Sequence, residues 1–480
     1  LRHWRCTTRR RWVDHQKRVN TTLEQRRGRV PWGTVFAYGA PTVGAGYMYL
    51  LVGLYVMKFS TDVLLIAPAV MGVIFSISRV WDAISDPLVG YLSDRTVGSF
   101  GRRRTWMAAS VIPIGAAFVM VFSPPANLSA AALIGWMAVA VIGFYSVMTV
   151  FFVPHLSLGA ELSDDYHERS RLFGIRHAFY TFGSILCLAS FQILIWAEDQ
   201  GEAAVRQTAL ELAIVATVVM AFLIGFAVIR LRERVDFQGR VSERPFRAFA
   251  DVVRNPHARL LIIVTFIENV GSAAIGVLTL YVAQYVVGAG SMAPLIILSY
   301  MIPSAFSVPL WIPLSRRYGK KRLWFFSMLL TGASFGGMFV LPFLDTVDAR
   351  LITIIVLAVF AGFAAGCGGT ISTSIQGDVI DYDEYVTGER KEGTYFAAWN
   401  FVYKCAMGAM LMLTGFVLQA AGFVPNEVQS MQTQIAIVSL YSLFPLVCYA
   451  IGAMLFRRFK LNEQAYAEIR SVLDARRASV

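Results

Sequence analysis

The chain has 480 residues, of which 56% are hydrophobic and only 15% charged, and its mean hydropathy is +0.57. Soluble domains are about one-quarter charged, so this composition excludes an ordinary soluble enzyme, and apolar runs that recur along the whole chain exclude a receptor with a single membrane anchor. The net charge of +12 does not indicate nucleic-acid binding, because the basic residues fall in the connections between apolar runs.

Residues 1–30 are basic but lack the apolar core and cleavage site of a signal peptide, so we expect the first membrane helix to serve as the insertion signal. A helix that crosses a bilayer needs about 20 mostly apolar residues. Six segments of this kind predict an N-terminal bundle over residues 31–229. They lie at 31–57, 63–93, 105–123, 130–160, 172–197 and 212–229.

The second predicted span carries three ionisable residues, Arg79, Asp82 and Asp86, in an otherwise apolar sequence. Each costs about 2.5–3.5 kcal/mol near the bilayer centre on insertion scales, so such residues normally face a cavity or a partner. The i, i+4 spacing places both carboxylates on one helix face, with the Ser85 hydroxyl beside them. Because adjacent carboxylates repel, this face predicts a cation or proton site. The alternative is a structural cluster in which Arg79 neutralises one aspartate.

A polar segment at 230–259 is predicted to be a central cytoplasmic loop. Six further apolar segments predict a second bundle over residues 260–456, followed by a polar tail at 457–480. These segments lie at 260–287, 292–315, 323–344, 351–377, 394–422 and 432–456. Basic, Gly-containing loops at 94–104 and 316–322 follow the second helix of each half, which indicates either a duplicated six-helix unit or two ordinary cytoplasmic loops.

Lys404 is the only charge in the eleventh predicted span, so it must pair, lose its proton or reach water. Paired with a carboxylate of the second span, it is expected to replace the coupling cation when that ion is absent; the alternative is a fixed ion pair. Acids after the tenth span and the bases Arg390 and Lys391 predict either a latch of ion pairs or a solvated loop. The acids are Asp378, Asp381, Asp383 and Glu384.

The distribution of basic residues predicts the orientation of the chain. Nearly all of the 43 Lys and Arg residues lie on one side of the predicted spans, and the other side has only Lys58, Arg206 and Arg350. Both termini are therefore expected to be cytoplasmic. No phosphate loop, nucleophile elbow, HExxH motif or Cys/His metal pattern occurs, so we expect no enzyme activity and no cofactor.

Three stretches of the sequence resemble the glycoside–pentoside–hexuronide:cation symporters, a family that includes melibiose permease. They are Arg79–Gly90 with Asp94 and Arg95, Asp378–Tyr385 with Lys404, and Tyr38-Gly39 with Thr61-Asp62. The resemblance extends over about residues 30–465. It implies an all-α fold of twelve transmembrane helices, the major facilitator fold with two six-helix halves, and rocker-type alternating access.

The resemblance also implies positions for the coupling ion. The family's cation ligands fall on Asp82, Ser85, Asp86 and Thr149, and Lys404, together with Arg79, is expected to act in coupling. Ser85 stands where the family usually has Asn, which keeps an oxygen ligand but leaves protons as an alternative to sodium. Asp82 and Asp86 are the expected sodium-binding carboxylates.

The sugar site departs further from the family. Gly46 and Phe152 stand where melibiose permease has two sugar-binding acids, and Leu156 replaces a stacking tryptophan, so a galactoside is less expected and a lysolipid-like cargo stays open. The expected substrate-binding residues are Arg176, Phe152, Gly46, Tyr47, Trp399 and Asn269. The expected cytoplasmic gate residues are Asp94, Arg95, Asp378, Asp381 and Glu384.

The sequence therefore predicts a cation-coupled symporter, with sodium favoured over protons, that imports a sugar or glycoside across the bacterial inner membrane. We expect a monomer in the lipid bilayer that binds no nucleic acid. One alternative is a cation- or proton-coupled carrier of a lysolipid or another amphiphile. An alternative of a different class is a membrane sensor or scaffold that does not transport.

Overall fold

The computed structural model describes residues 30–96, 101–163, 166–233, 252–388, 392–461 and 463–478. Within these residues the chain is all-α, with twelve long helices and a C-terminal helix. The helices are α1 (Trp32–Val63), α2 (Pro68–Arg95), α3 (Arg102–Phe122), α4 (Ala130–Glu161), α5 (Tyr166–Glu198), α6 (Glu202–Arg230), α7 (Pro256–Val287), α8 (Ala293–Tyr318), α9 (Lys320–Phe343), α10 (Val347–Thr387), α11 (Glu392–Ala420), α12 (Met431–Phe456) and α13 (Glu463–Ala478).

Eleven of the helices in the described residues are long and apolar enough to cross a membrane, and α2 is the twelfth long helix. Its middle carries Arg79, Asp82 and Asp86, which lower its hydropathy. The all-α fold of two sets of six helices is therefore confirmed. Most helices extend beyond their predicted spans, because polar residues outside the apolar core continue the helix.

The predicted boundary of the tenth span was wrong in a way that matters for the site. The sequence predicted a span at 351–377 and then a loop, whereas α10 continues to Thr387 and ends at Gly388, which has φ +76°. No Gly or Pro interrupts residues 378–387, and a glycine in the left-handed region is a common helix terminator. The residues thereby moved from a loop into a helix are Asp378, Asp381, Asp383 and Glu384.

Three of the helices in the described part of the chain contain a π-helical turn. The turn at Phe59–Val63 ends α1, the turn at Val282–Val287 ends α7, and the turn at Ser439–Leu443 lies within α12. Since α1 and α7 are the first helices of the two halves, their π turns occupy equivalent positions. Both lie at the distal end, by which we mean the end with the α1–α2, α7–α8 and α11–α12 connections; the opposite end is the proximal end.

The halves α1–α6 and α7–α12 contact each other mainly through α2 and α11, whereas the equivalent pair, α5 and α8, is much less in contact. Glycines bring the two backbones close together. A Cβ on Gly72 would lie 2.8 Å from the backbone oxygen of Leu411, and one on Gly408 would lie 3.0 Å from Cβ of Arg79. Close packing at small residues is typical of membrane helices.

Several predicted segments fall outside the described residues. These include residues 1–29 of the basic tail, 234–251 of the central loop, and the bases Arg390 and Lys391. The predicted C-terminal tail contains α13, which packs against α10.

Candidate functional site

The acids of α2 meet the lysine of α11 where the two halves pack. The Nζ atom of Lys404 lies 2.8 Å from Oδ2 of Asp82 and 2.5 Å from Oδ2 of Asp86. Thr149 of α4 lies on the other side of the acids, with its hydroxyl 2.5 Å from Oδ1 of Asp82 and 3.0 Å from Oδ1 of Asp86. Asp82 is only 1% exposed. We call Asp82, Asp86, Thr149 and Lys404 the charged cluster.

Ser85 and Arg79 lie next to this cluster but contact other groups. The Ser85 hydroxyl donates to the backbone oxygen of Asp82 at 3.2 Å, and not to a carboxylate. The guanidinium of Arg79 donates to the Tyr145 hydroxyl at 2.5 Å and lies 3.8 Å from the centre of that ring. The base that contacts both carboxylates is therefore Lys404, which comes from the opposite half of the molecule.

The charged cluster has the chemistry of a site for a hard cation. Its carboxylates and hydroxyl supply only oxygen atoms, which alkali and alkaline-earth ions prefer. The lysine ammonium already contacts one oxygen of each carboxylate. A small cation, or a proton on one acid, would relieve the same repulsion between Asp82 and Asp86.

A cavity of about 450 Å³ lies within the C-terminal half and reaches α11 beside Lys404. Its volume is within the range of small-molecule sites. Two of the expected substrate-binding residues, Asn269 and Trp399, line it. The wall also carries polar side chains that the sequence analysis did not assign to a site: Glu268, Ser372, Thr373, Gln376 and Asn400.

The expected substrate-binding residues of the N-terminal half do not line this cavity. A Cβ on Gly46 would overlap the backbone oxygen of Tyr180, so Gly46 is a packing contact between α1 and α5. Tyr47 donates its hydroxyl to α5 at 2.8 Å. Arg176 and Phe152 are adjacent, with the guanidinium 5.3 Å from the ring centre.

The gate residues expected on α2 contact groups of their own half. Asp94 forms an ion pair with Arg103 at the start of α3, and Arg103 also contacts Glu161 of α4 at 3.4 Å. The guanidinium of Arg95 lies 4.1 Å from the centre of the Tyr91 ring.

The described contacts of the gate residues on α10 also lie on the same side of the molecule, in the C-terminal part of the chain. Lys320 at the start of α9 contacts Asp378 at 2.7 Å, and Tyr466 of α13 donates to Asp381 at 2.7 Å. Glu384 lies on the last turn of α10, where its backbone oxygen accepts the N–H of Gly388 at 2.9 Å. These described contacts tie the proximal ends of helices together within each half.

A set of contacts at the distal end joins the two halves and was missed by the sequence analysis. Tyr285 donates to Oδ2 of Asp62 at 2.5 Å, and the Asn426 side chain donates to the Asp62 backbone oxygen at 2.6 Å. The hydroxyls of Thr61 and Tyr281 are 2.9 Å apart. The Thr61-Asp62 pair carried a signal in the family resemblance, but the tyrosines looked like ordinary residues of an apolar run. We call these five residues the distal network.

Two six-helix halves that meet at a charged cluster, with a polar cavity in the C-terminal half, define a polytopic membrane transporter of the major facilitator fold. The chain matches the family model described as MFS/sugar transport protein over residues 37–463. It is 27% identical over 441 residues to the isoprimeverose transporter of Lactiplantibacillus pentosus, with 90% of each chain covered. A glucuronide carrier protein homolog of Escherichia coli is 22% identical over 451 residues, which cover 93% of this chain and 96% of the relative.

The solved D-xylose-proton symporter shares the fold, with a TM-score of 0.66, 11% identity, and coverage of 90% of this chain and 98% of that chain. The chain belongs to the MFS/sugar transport family, within the glycoside–pentoside–hexuronide:cation symporters. It is a cation-coupled sugar symporter and not an enzyme, so the predicted family, fold and transport class are confirmed.

Proposed function

We propose that this symporter couples the import of a sugar or glycoside to sodium, and that Asp82, Asp86 and Thr149 hold the ion. The observation that carries this proposal is the position of Lys404, which contacts both carboxylates at 2.8 and 2.5 Å across the contact between the halves. An ammonium in this position satisfies two acids that otherwise repel each other in a low-dielectric environment.

Sodium and the Lys404 ammonium compete for the same oxygen atoms. Sodium binding between Asp82 and Asp86 displaces Lys404, whose neighbours on α11, Trp399 and Asn400, line the cavity. Movement of this helix segment changes the cavity wall, so the binding of the ion changes the free energy of sugar binding, and the reverse is also true. Arg79 lies one helical turn before Asp82 and donates a hydrogen bond to Tyr145. It is a positioning residue that keeps a positive charge next to Asp82.

The coupling rule follows from the cost of an unpaired buried charge. With Lys404 bound, or with sodium and sugar bound, the acids are compensated and the halves reorient. With neither cation, two carboxylates remain uncompensated in the membrane, which costs several kcal/mol. A carrier in that state does not reorient, and this prevents the sugar from crossing the membrane without sodium.

The proposed orientation places both termini in the cytoplasm and the distal end outside the plasma membrane of a bacterium. The support is the concentration of Lys and Arg in the proximal connections. In this orientation the distal network holds the outer side together. We also propose that the monomer is the transporting unit, since the charged cluster and the cavity come from one chain.

The alternatives differ in the ion, the cargo or the activity. A proton on Asp82 or Asp86 would relieve the same repulsion, and a carrier of lysolipids or other amphiphiles would use the same ion site. The amide and hydroxyl groups of the cavity wall favour a sugar over an amphiphile. A sensor or scaffold that does not transport would accumulate no solute.

The test begins with thermal-shift measurements on the purified protein, with and without sodium. The probes are isoprimeverose, D-xylose, a methyl glucuronide and a lysophospholipid. Sugar-dependent stabilisation that increases with sodium is the expected result. The sugar that binds is then offered to proteoliposomes with an inward sodium gradient or an inward proton gradient, and sodium alone is expected to drive accumulation.

Asp82→Cys is the decisive variant. It is expected to fold but to lose gradient-driven accumulation, because one carboxylate cannot hold sodium against the lysine. Asp348→Cys, at an exposed aspartate in the first turn of α10, is the matched control and should transport normally. Sodium-stimulated uptake by Asp82→Cys would disprove the proposed ion site.

A further inference from the structure

Glu268 is a partly exposed acid within a membrane helix that the proposed ion cycle does not use. It lies on one face of α7 with Thr265, Asn269 and Ser272, at spacings of three, four and seven residues that align along a helix. All four line the cavity. On the far side, a Cβ on Gly452 of α12 would lie 3.4 Å from Cγ of Glu268, so this glycine leaves room for the acid.

The immediate contacts of Glu268 leave acceptor capacity toward the cavity. The side chain of Trp324 lies beside the carboxylate, and a carboxylate has about four acceptor positions. Glu268 is the only charged residue among the described residues that line this cavity. A membrane carboxylate without an opposing base is costly unless several donors reach it. A ligand rich in hydroxyl groups supplies such donors.

A second part of the cavity wall offers the complementary group. Trp399 is 7% exposed and lines the cavity, and its indole N–H is buried with no hydrogen-bond partner among the described residues. A buried donor without an acceptor costs about 1–3 kcal/mol, so a ligand that accepts from it is favoured. The cavity has space beside α10, since a Cβ on Gly368 or Gly369, which line it, would meet nothing within 4 Å.

We infer that Glu268 is a substrate-binding residue that accepts hydrogen bonds from hydroxyl groups of an uncharged sugar, with the Trp399 N–H donating to the same sugar. This inference rests on the proposed function as a sugar symporter and places the recognition of hydroxyl groups in the C-terminal half. It accounts for Gly46 and Phe152, which cannot accept such bonds. It also predicts discrimination against anionic sugars, because the negative charge of a uronide or a sulfonated sugar would be repelled by the carboxylate of Glu268.

The basic residues Arg176 and Lys404 do not reverse the preference for an uncharged sugar over an anionic one. Arg176 lies over the Phe152 ring on the N-terminal half, outside the lining of this cavity. Lys404 does not line the cavity either, and it contacts the two acids of α2 in this structure. Among the described residues, the charge that lines the cavity is therefore the carboxylate of Glu268.

The experiment uses the full chain in lipid nanodiscs and isothermal titration with isoprimeverose, D-xylose and a methyl glucuronide in sodium buffer. In Glu268→Gln the affinity for the uncharged sugar is expected to fall about tenfold to a hundredfold, as for a lost charge-assisted hydrogen bond. Binding of the glucuronide is expected to stay unchanged or to strengthen. Glu198→Gln, at an acid of α5 that contacts Lys58, is the matched control and should bind the uncharged sugar like wild type.

A deoxy-sugar series separates recognition from a structural effect. Wild type should discriminate against the analogue that lacks the contacted hydroxyl, and Glu268→Gln should lose most of that discrimination. Glu268→Asp, which keeps the charge, should give an intermediate affinity, and sodium-dependent stabilisation without sugar should be retained in both variants. Unchanged sugar affinity in Glu268→Gln, or equal loss for every analogue, would overturn this inference alone. Wild-type protein that binds none of the sugars would overturn the proposed function together with it.

Discussion

Both halves of the molecule carry acids within membrane helices, but these acids have different kinds of partner. Asp82 and Asp86 of the N-terminal half contact Lys404 of the C-terminal half. Glu268 of the C-terminal half lies beside Trp324 of the same half and faces the cavity. An ion pair that crosses the interface alters the attraction between the halves whenever its partner changes, whereas an acid held within one half does not. The comparison therefore separates a coupling site from a recognition site.

The strongest test of this comparison removes the lysine that crosses the interface. Lys404→Gln leaves the buried carboxylate of Asp82 and the partly exposed one of Asp86 without this base, which destabilises the fold by about 3 kcal/mol in sodium-free buffer. Sodium should restore the stability, so the sodium-induced rise in melting temperature should exceed that of wild type.

Lys58→Gln is the matched control for this variant. Lys58 is also buried between two acids, Asp62 and Glu198, but within the N-terminal half. This variant should lose stability without any additional rescue by sodium. Equal rescue of both lysine variants would remove the distinction between pairs across the interface and pairs within a half.

A smaller effect is expected from the glycine contact between α2 and α11. Gly408→Ala places a methyl group 3.0 Å from Cβ of Arg79 and 3.3 Å from the Ser76 backbone oxygen, and overpacking of this kind costs about 1–3 kcal/mol. Gly369→Ala, where a Cβ meets nothing within 4 Å, should leave the melting temperature unchanged. Similar melting temperatures for the two variants would show that the interface is not tightly packed.

The distal network is expected to contribute less than either feature. Tyr285→Phe removes the hydrogen bond to Asp62, worth about 1 kcal/mol, so the population with an open distal end should rise about fivefold. Spin labels at the exposed residues Leu65 and Val428, in a background without the native cysteines, report this opening as longer distances.

Tyr47→Phe removes a hydroxyl contact within the N-terminal half and is the control for the distal variant. It should leave the distance distribution between Leu65 and Val428 unchanged. The same opening in both tyrosine variants would mean that the distal network does not hold the halves together.

The smallest effect is expected at Ser85. Its hydroxyl donates to the Asp82 backbone oxygen, so Ser85→Ala should change the sodium affinity less than about threefold. Ser78→Ala, which removes a similar hydrogen bond to a backbone oxygen about two turns earlier on α2, is the control. A loss of sodium affinity of tenfold or more in Ser85→Ala alone would place the Ser85 hydroxyl on the ion.

The sequence predicted what depends on hydropathy and spacing along one helix. The twelve spans follow from apolar run length, and the shared face of Asp82 and Asp86 follows from the helical repeat. A lysine on α11 had few partners in an apolar bundle, so its pairing with these acids was accessible to reasoning as well.

The sequence did not predict features that depend on the rotation of one helix against another. The Arg79 side chain points to Tyr145, and Gly46 packs against the α5 backbone. Nothing in the surrounding sequence of either residue determines these contacts. The end of α10 was also missed, because hydropathy marks the edge of the apolar core whereas Gly388 marks the end of the helix. Partners such as Tyr285 have no charge or motif that distinguishes them before folding.

The π turns at the ends of α1 and α7 make the distal network dependent on chain length. Each residue of an α-helix rotates the chain by about 100°, and a π turn accommodates one additional residue. Deleting a single residue from Phe59–Val63 would allow a regular helix to form and would turn Asp62 away from Tyr285. Point substitutions are therefore tolerated in these turns more readily than single-residue deletions. Insertions or deletions there would break the hydrogen bonds of the distal network between the two halves.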